Sequence, residues 1–149
     1  MDVIGIGAPA VDYIMEVNHL PHTDEFIDVK NYSCQGGGRV PTALAALGRL
    51  GSDCALVGAV GDDLFGRFCL NDLRAYGVST DYMIVEKGAV TNFCLALAEK
   101  DTGGRSFLRQ HGNCRPLSLT DLNEDAIRSA KVLHLSAMSP LCGKVAALW

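Results

Sequence analysis

The sequence predicts an α/β protein with a doubly wound sheet. Apolar runs at residues 3–7, 54–60 and 132–135 have the length and composition of buried parallel strands. Helical patterns lie between them, at residues 42–50, 64–76 and roughly 119–129. Strands and helices that alternate along a chain build a parallel sheet with helices on both faces. Residues 13–17, 26–33, 92–98 and 106–110 leave that rhythm, and are expected as strands of one small sheet standing off the main body.

The first strand runs into Gly5-Ile6-Gly7-Ala8-Pro9-Ala10, which fits the G-x-G-x-x-A dinucleotide fingerprint, with Glu25 about 20 residues further on. A dinucleotide-binding domain is therefore one alternative. The fingerprint has to open a helix, because the pyrophosphate rests on that helix's N-terminus. Here residues 11–17 are rich in β-branched and aromatic side chains and lead to a turn at Pro21, which favours strand. Asp12 leaves the end of the first strand, the side of an open α/β sheet on which ligands bind. Its carboxylate can accept from two adjacent sugar hydroxyls, or it turns the chain by bonding its own backbone.

Residues 37–51 form the most informative block, a glycine pair followed by a short Ala/Leu helix. Val40, Ala43, Leu44, Leu47 and Leu50 fall on one helical face, and Gly51 is suited to ending the helix. Gly37 and Gly38 expose backbone N–H groups at the helix N-terminus, where electronegative ligand atoms are welcome. The plain alternative is a glycine turn capping a core helix. A buried strand over residues 53–60 follows, then Val60-Gly61-Asp62-Asp63-Leu64-Phe65-Gly66 and a helix that ends at Gly77-Val78-Ser79-Thr80-Asp81. Asp62 and Asp63 look like paired catalytic acids but read better as helix cap and loop anchor. Further on, Phe93, Leu95 and Leu97 alternate with smaller or polar residues, and Asp101-Thr102-Gly103-Gly104 turns the chain back. Arg109 sits at the end of that return. It could reach a carboxylate, sulfonate or phosphate, or equally be a solvated edge charge. His111 and Asn113 read as turn residues. Residues 140–149 read as a helix without a stop signal.

Composition narrows the function. The formal charge is −4 with no Lys/Arg cluster, which argues against a nucleic-acid surface. No apolar run reaches membrane-spanning length and no basic leader precedes the first strand, so a soluble, cytoplasmic protein without membrane partners is expected. The six cysteines are dispersed without a C-x-x-C pair and read as free, buried thiols; the four histidines show no ligand spacing, so no metal site is expected.

The glycine–helix block and Val-Gly-Asp-Asp-x-Phe-Gly, in this order and spacing, resemble the ribokinase (PfkB) family of carbohydrate kinases. The resemblance runs from the first strand and Asp12 to the end of the chain. It implies a ribokinase-like doubly wound sheet in which segments of about 13–33 and 91–110 form a β lid over the sugar and a homodimer surface. It also implies transfer of the ATP γ-phosphoryl group, with Mg²⁺, to a hydroxyl of a small sugar or sugar derivative. It places Asp12, Gly37, Gly38, Thr42 and Arg109 around that substrate. Thr42 stands where many members carry Asn, and a hydroxyl lacks the amide's paired donor and acceptor. Ala10 stands where many ribokinases have Asn, so ribose itself is less expected. The family's second signature, a Gly-Ala-Gly-Asp turn that supplies the base and anion hole, does not occur in these 149 residues. The expectation is therefore the N-terminal half of a kinase, with no catalytic residue of its own, inactive alone, and with the ATP and Mg²⁺ sites mostly elsewhere. A non-catalytic sugar-binding module is the alternative from a different class.

Overall fold

A computed structural model describes residues 1–136 and 140–146. In chain order the elements are β1 (Val3–Ile6), β2 (Ala10–Val17), β3 (Asn31–Gly37), α1 (Arg39–Arg49), β4 (Cys54–Gly61), α2 (Leu64–Ala75) and β5 (Val78–Glu86). They continue with β6 (Asn92–Glu99), β7 (Arg105–Gln110), a 3₁₀ turn (Leu119–Asp121), α3 (Glu124–Ser129), β8 (Val132–Leu135) and α4 (Pro140–Ala146). The strands form two four-stranded sheets. The main sheet, in the order β5-β4-β1-β8, is parallel throughout.

Period-two alternation divides the main sheet's side chains between two helical layers. Val3, Leu56 and Val78 pack with Val40 and Leu44 of α1 and Leu73 of α2. Ile4, Ile6, Ala55 and Val57 pack on the other face with Ala126 and Ile127 of α3 and Val145 of α4. The sheet is thus doubly wound, as the alternation of elements predicts. The glycines of the apparent dinucleotide fingerprint have a packing role. A Cβ on Gly5 would lie 2.5 Å from Val40 and 2.7 Å from Leu44, so its absence lets α1 approach the sheet. The chain beyond Gly7 continues as β2, not as a helix, which removes the dinucleotide alternative.

The second sheet has the order β3-β2-β6-β7. β2 pairs antiparallel with β3 and parallel with β6, and β6 pairs antiparallel with β7. Residues 92–110 thus form the expected antiparallel pair and share a sheet with β2. Its odd-numbered β2 residues face α2: Val11 packs with Val60 and Cys69, and Tyr13 stands edge-on to Phe65 and Phe93, centroids 6.3 and 5.7 Å apart. Phe65 and Phe93 stack at 5.3 Å, adding an aromatic contact between α2 and β6.

Several boundaries differ from the sequence reading. The strand placed at residues 26–33 is β3 at Asn31–Gly37, and Phe26 is fully exposed. The register with β2, from Ala10↔Gly37 to Glu16↔Asn31, recruits Gln35-Gly36-Gly37 into the ladder despite their turn-like composition. β5 was hidden behind its helix-stop signal: a register irregularity opposite Ala55–Val57 disrupts the alternation. α1 begins at Arg39, three residues before the expected start, because Pro41 falls in the first turn, where its missing N–H costs nothing. The helix expected over 119–129 is two pieces. Ser118 and Asp121 close a capping box on the 3₁₀ turn, and Asn123 caps α3 afresh. Cys34, Cys54, Cys69, Cys94 and Cys114 are free, but only Cys54 and Cys69 are buried; the Cys142 side chain lies outside the described set. The helix expected over 140–149 is described to Ala146, and residues 147–149 lie outside the described residues.

One polar knot joins the two sheets. Asp63 caps α2 by accepting from Gly66 N–H at 2.7 Å. The same carboxylate accepts from Thr91 N–H at 2.9 Å and Thr91 hydroxyl at 2.7 Å. Thr91, buried just before β6, accepts in turn from Gly61 N–H at 2.9 Å. Asp62 accepts from Gly88 N–H at 2.8 Å. The cap-and-anchor reading of this pair is therefore the observed one. Burial pushes the Asp63 carboxyl up, but the Thr91 and Gly66 donors outweigh it and hold the pKa below the ordinary value. A depressed folded pKa gives stability that is present above the unfolded carboxylate pKa and lost as pH falls through the folded one. Asp63→Ala is expected to cost about 2–4 kcal/mol, combining a lost cap with orphaned donors at Thr91. It should also flatten the acid limb of stability against pH. Denaturant unfolding between pH 7 and pH 3 measures both effects, and a loss below about 0.5 kcal/mol would make the knot incidental.

Candidate functional site

Two cavities open around the base of the small sheet. The larger, about 320 Å³, lies where β1, β4 and β8 end. Gly7, Ala8, Ala59 and Ser136 supply those strand ends, and Asn92 and Leu117 are on its wall. The carboxyl ends of parallel strands are where open α/β sheets take ligands. The smaller, about 260 Å³, lies between α1 and α2 beside the end of β3, and is lined by Gln35, Gly37, Thr42, Arg49, Asp72 and Tyr76, among others. Thr42 and Gly37 of the predicted site residues line this smaller cavity. Asp12, Gly38 and Arg109 line neither.

Strand register brings Asp12 and Arg109 together. Asp12 of β2 is paired with Gln35 of β3 and Cys94 of β6, and Cys94 is paired with Arg109 of β7. Residues directly opposed in a ladder project from the same face. Gln35, Asp12, Cys94 and Arg109 therefore form one row, on the face opposite to the one packed on α2. The Asp12 carboxylate lies over the Cα of Gly37, where a Cβ would collide with it. Burial pushes the Asp12 carboxyl above its ordinary pKa. No hydrogen bond or ion pair from a described residue offsets that cost, which leaves the carboxylate free to accept from a ligand.

Gly38 has φ 99° and forms the N-cap of α1, its carbonyl accepting from Thr42 N–H at 2.9 Å. A side chain there would meet the Ala8 carbonyl at 2.5 Å. The glycine is therefore required by the backbone, which is the glycine-turn role. Thr42 is exposed on α1 toward the α2 groove and does not join the Asp12 row.

Three contributors were not anticipated. Asn92 donates to the Pro9 carbonyl at 2.9 Å and accepts from Gly112 N–H at 3.0 Å, tying β6 to the β1–β2 joint at the larger cavity. Asp72 of α2 lies over Gly36 as Asp12 lies over Gly37, so two carboxylates bracket adjacent glycines. Burial raises the Asp72 pKa, partly offset by the Gly36 N–H. Cys94 sits between Asp12 and Arg109; burial raises its pKa, Asp12 raises it further and Arg109 opposes them. Alternation around Phe93, Leu95 and Leu97 could have put Cys94 on the face opposite those apolar side chains; no local signal marks Asn92 or Asp72. Asn113 accepts from Val90 N–H at 2.6 Å, the turn role expected of it. Among the described residues, no three His, Cys, Asp or Glu side chains converge as metal ligands, and no helix is long and apolar enough to cross a membrane.

Comparison with known proteins agrees with this architecture. The chain is 30% identical over 139 residues to a fructokinase of Solanum tuberosum, covering 92% of this chain and 42% of that protein. It is 33% identical over 140 residues to a 5-dehydro-2-deoxygluconokinase of Geobacillus thermodenitrificans, covering 91% and 40%. The chain thus spans less than half the length of these relatives. Among solved structures, Arabidopsis thaliana ribokinase complexed with ribose and ATP superposes with a TM-score of 0.82 at 23% identity, over 99% of this chain and 49% of that one. The fold is ribokinase-like. Residues 2–149 match the pattern of the pfkB family carbohydrate kinases, and the chain belongs to that family.

Proposed function

We propose that this chain carries the acceptor site of a kinase that transfers the γ-phosphoryl group of ATP to a hydroxyl of a sugar or sugar derivative. The observation that carries the reading is Asp12. It is a desolvated carboxylate, without a donor from the described residues, held over Gly37 beside the N-terminus of α1. Two vicinal hydroxyls are the donors such a carboxylate lacks. Gly37 and Gly38 bring backbone to the same point, Thr42 offers a hydroxyl on the first turns of α1, and Arg109 closes the row across the small sheet.

In this reading the small sheet, made from β2, β3, β6 and β7, is a lid. Closing it excludes water and orients the acceptor, which is where most of the catalytic advantage of phosphoryl transfer arises. Tyr32 and Leu108 are exposed on one face of its outer strands and Phe107 on the other, apolar side chains open to a second copy of the chain. Neither Asp62 nor Asp63 is free to hold Mg²⁺ or to act as a base. The Asp62 carboxylate is engaged by Gly88 N–H, and Asp63 by Gly66 and Thr91. We therefore assign Mg²⁺, the ATP phosphates and the base to residues outside these 149, and place the protein in the cytoplasm, where ATP is available. The 149-residue chain alone is expected to show no sugar-dependent ATP turnover; turnover well above background would place the base among Asp12, Asp62 and Asp63.

Two substitutions in the full-length protein test the acceptor site. Asp12→Ala is expected to lower kcat/KM for the sugar by about 2–4 kcal/mol through lost charge-assisted hydrogen bonds. A folded variant with unchanged kcat/KM removes the assignment. Gly37→Ala is the sharper case. Its Cβ falls on the carboxylate of a side chain that can rotate away, so folding survives while Asp12 is displaced. The expected pattern is a kcat/KM loss approaching that of Asp12→Ala with an unfolding midpoint close to the parent's. Full activity in Gly37→Ala would mean that the carboxylate's position does not matter.

A further inference from the structure

The open face of the small sheet carries two acid–small–arginine rows. The inner row is Asp12–Cys94–Arg109; four residues away along each strand, the outer row is Glu16–Ala98–Arg105. Their surroundings differ. In the outer row, Glu16 accepts from the Asn31 amide at 3.3 Å and lies 3.8 Å from the Lys100 ammonium. Arg105 stacks over Phe107 with 5.7 Å to the ring centroid. The outer row is satisfied by its own neighbours. In the inner row, neither the Asp12 nor the Arg109 side chain has a hydrogen bond, ion pair or ring contact with a described residue. Cys94 between them is small enough to leave the space above it open. Two strand spacings separate the acid's strand from the arginine's, about 10 Å of backbone that the two side chains shorten.

We infer that the acceptor is an anionic sugar derivative, its hydroxyls on Asp12 and its carboxylate or phosphate on Arg109. This rests on the acceptor-site reading above and narrows its substrate class. An arginine fork matches the two oxygens of a carboxylate or the oxygens of a phosphate monoester and gives a neutral hydroxyl no equivalent. The acid and the cation at opposite ends of the row also orient the ligand. A reversed anionic sugar would set its charge against Asp12 and leave Arg109 on hydroxyls.

The test uses the full-length protein and matched probes: fructose, 2-ketogluconate and fructose 1-phosphate, and ribose, ribonate and ribose 1-phosphate. ATP-dependent phosphorylation and calorimetric binding are measured for each. The expected result is a kcat/KM for an anionic member at least about tenfold above its neutral partner. The carboxylate and phosphate arms separate the two anion types. In Arg109→Leu that anionic-to-neutral ratio falls to about one or below, Arg109→Lys restores part of it, and Arg105→Leu leaves it unchanged. A wild-type preference for the neutral sugar, or a preference that survives Arg109→Leu, overturns the inference while the kinase reading stands. If no probe is phosphorylated, the kinase reading falls. Calorimetry then decides this inference separately: anion-selective binding lost in Arg109→Leu upholds it, and unselective or absent binding overturns it.

Discussion

The carboxylate of Asp63 is the constraint on which the rest of the molecule depends. A single side chain caps α2, holds Thr91 and, through the Thr91 hydroxyl, reaches Gly61 at the end of β4. One buried cluster of hydrogen bonds thereby fixes three things: the end of a main-sheet strand, the start of the helix that supports the small sheet, and the entry of β6 into that sheet. The Gly66 and Thr91 donors would be orphaned if the carboxylate were removed, and orphaned donors cost more than the bond itself contributes. Gly61 and Gly66 belong to the same arrangement. A Cβ on Gly61 would strike the Ala89 carbonyl, and one on Gly66 would strike the Gly61 carbonyl. The Val-Gly-Asp-Asp-x-Phe-Gly block is thus a structural joint between body and small sheet, although it looks like an acidic active site.

A second close approach sets the electrostatics of the site. Gly36 and Gly37 end β3, and the carboxylates of Asp72 and Asp12 take the space their side chains would have occupied. Because adjacent strand residues face opposite ways, the two acids lie on opposite sides of the strand. Burial raises both pKa values, yet only Asp72 has a backbone donor to offset it. Asp72 also lies along the free edge of β3, where an acidic side chain opposes pairing with another chain. Asp12 has no such donor among the described residues, and the proposed acceptor role rests on that uncompensated desolvation.

The sequence was legible where local patterns and global fold agree. The core strands β1, β4 and β8 are short apolar runs in buried positions, and α2 carries both its cap at Asp63 and its stop at Gly77. It was less legible where tertiary pairing overrides composition. Gln35-Gly36-Gly37 has the composition of a turn, and becomes strand only because β2 offers a ladder and two acids need the glycines' space. β5 was lost to a register irregularity. The site was legible as residues but not as a constellation. Asp12 and Arg109 can be picked out singly, but their shared row depends on a parallel β2–β6 pairing between segments about 80 residues apart, which no local spacing encodes.

That pairing also explains how a thin sheet serves two purposes at once. Val11 and Tyr13 on β2, with Phe93 on β6, face α2 and hold the sheet to the body. Asp12 and Cys94 lie between these residues in sequence and face the other way, toward the proposed acceptor site. A one-residue slip of β6 against β2 would turn Phe93 to the ligand face and bury Cys94 and its neighbours against the helix. The proposed site therefore depends on register, and register is fixed at the root of β6. Thr91 is clamped by Asp63, and Asn92 is tied to both Pro9 and Gly112. These bonds are buried or half-buried, and they sit at the one point where the small sheet, the main sheet and the larger cavity meet. The alignment of Asp12 with Arg109 is thus inherited from Asp63, a residue that belongs to a helix cap and touches neither of them.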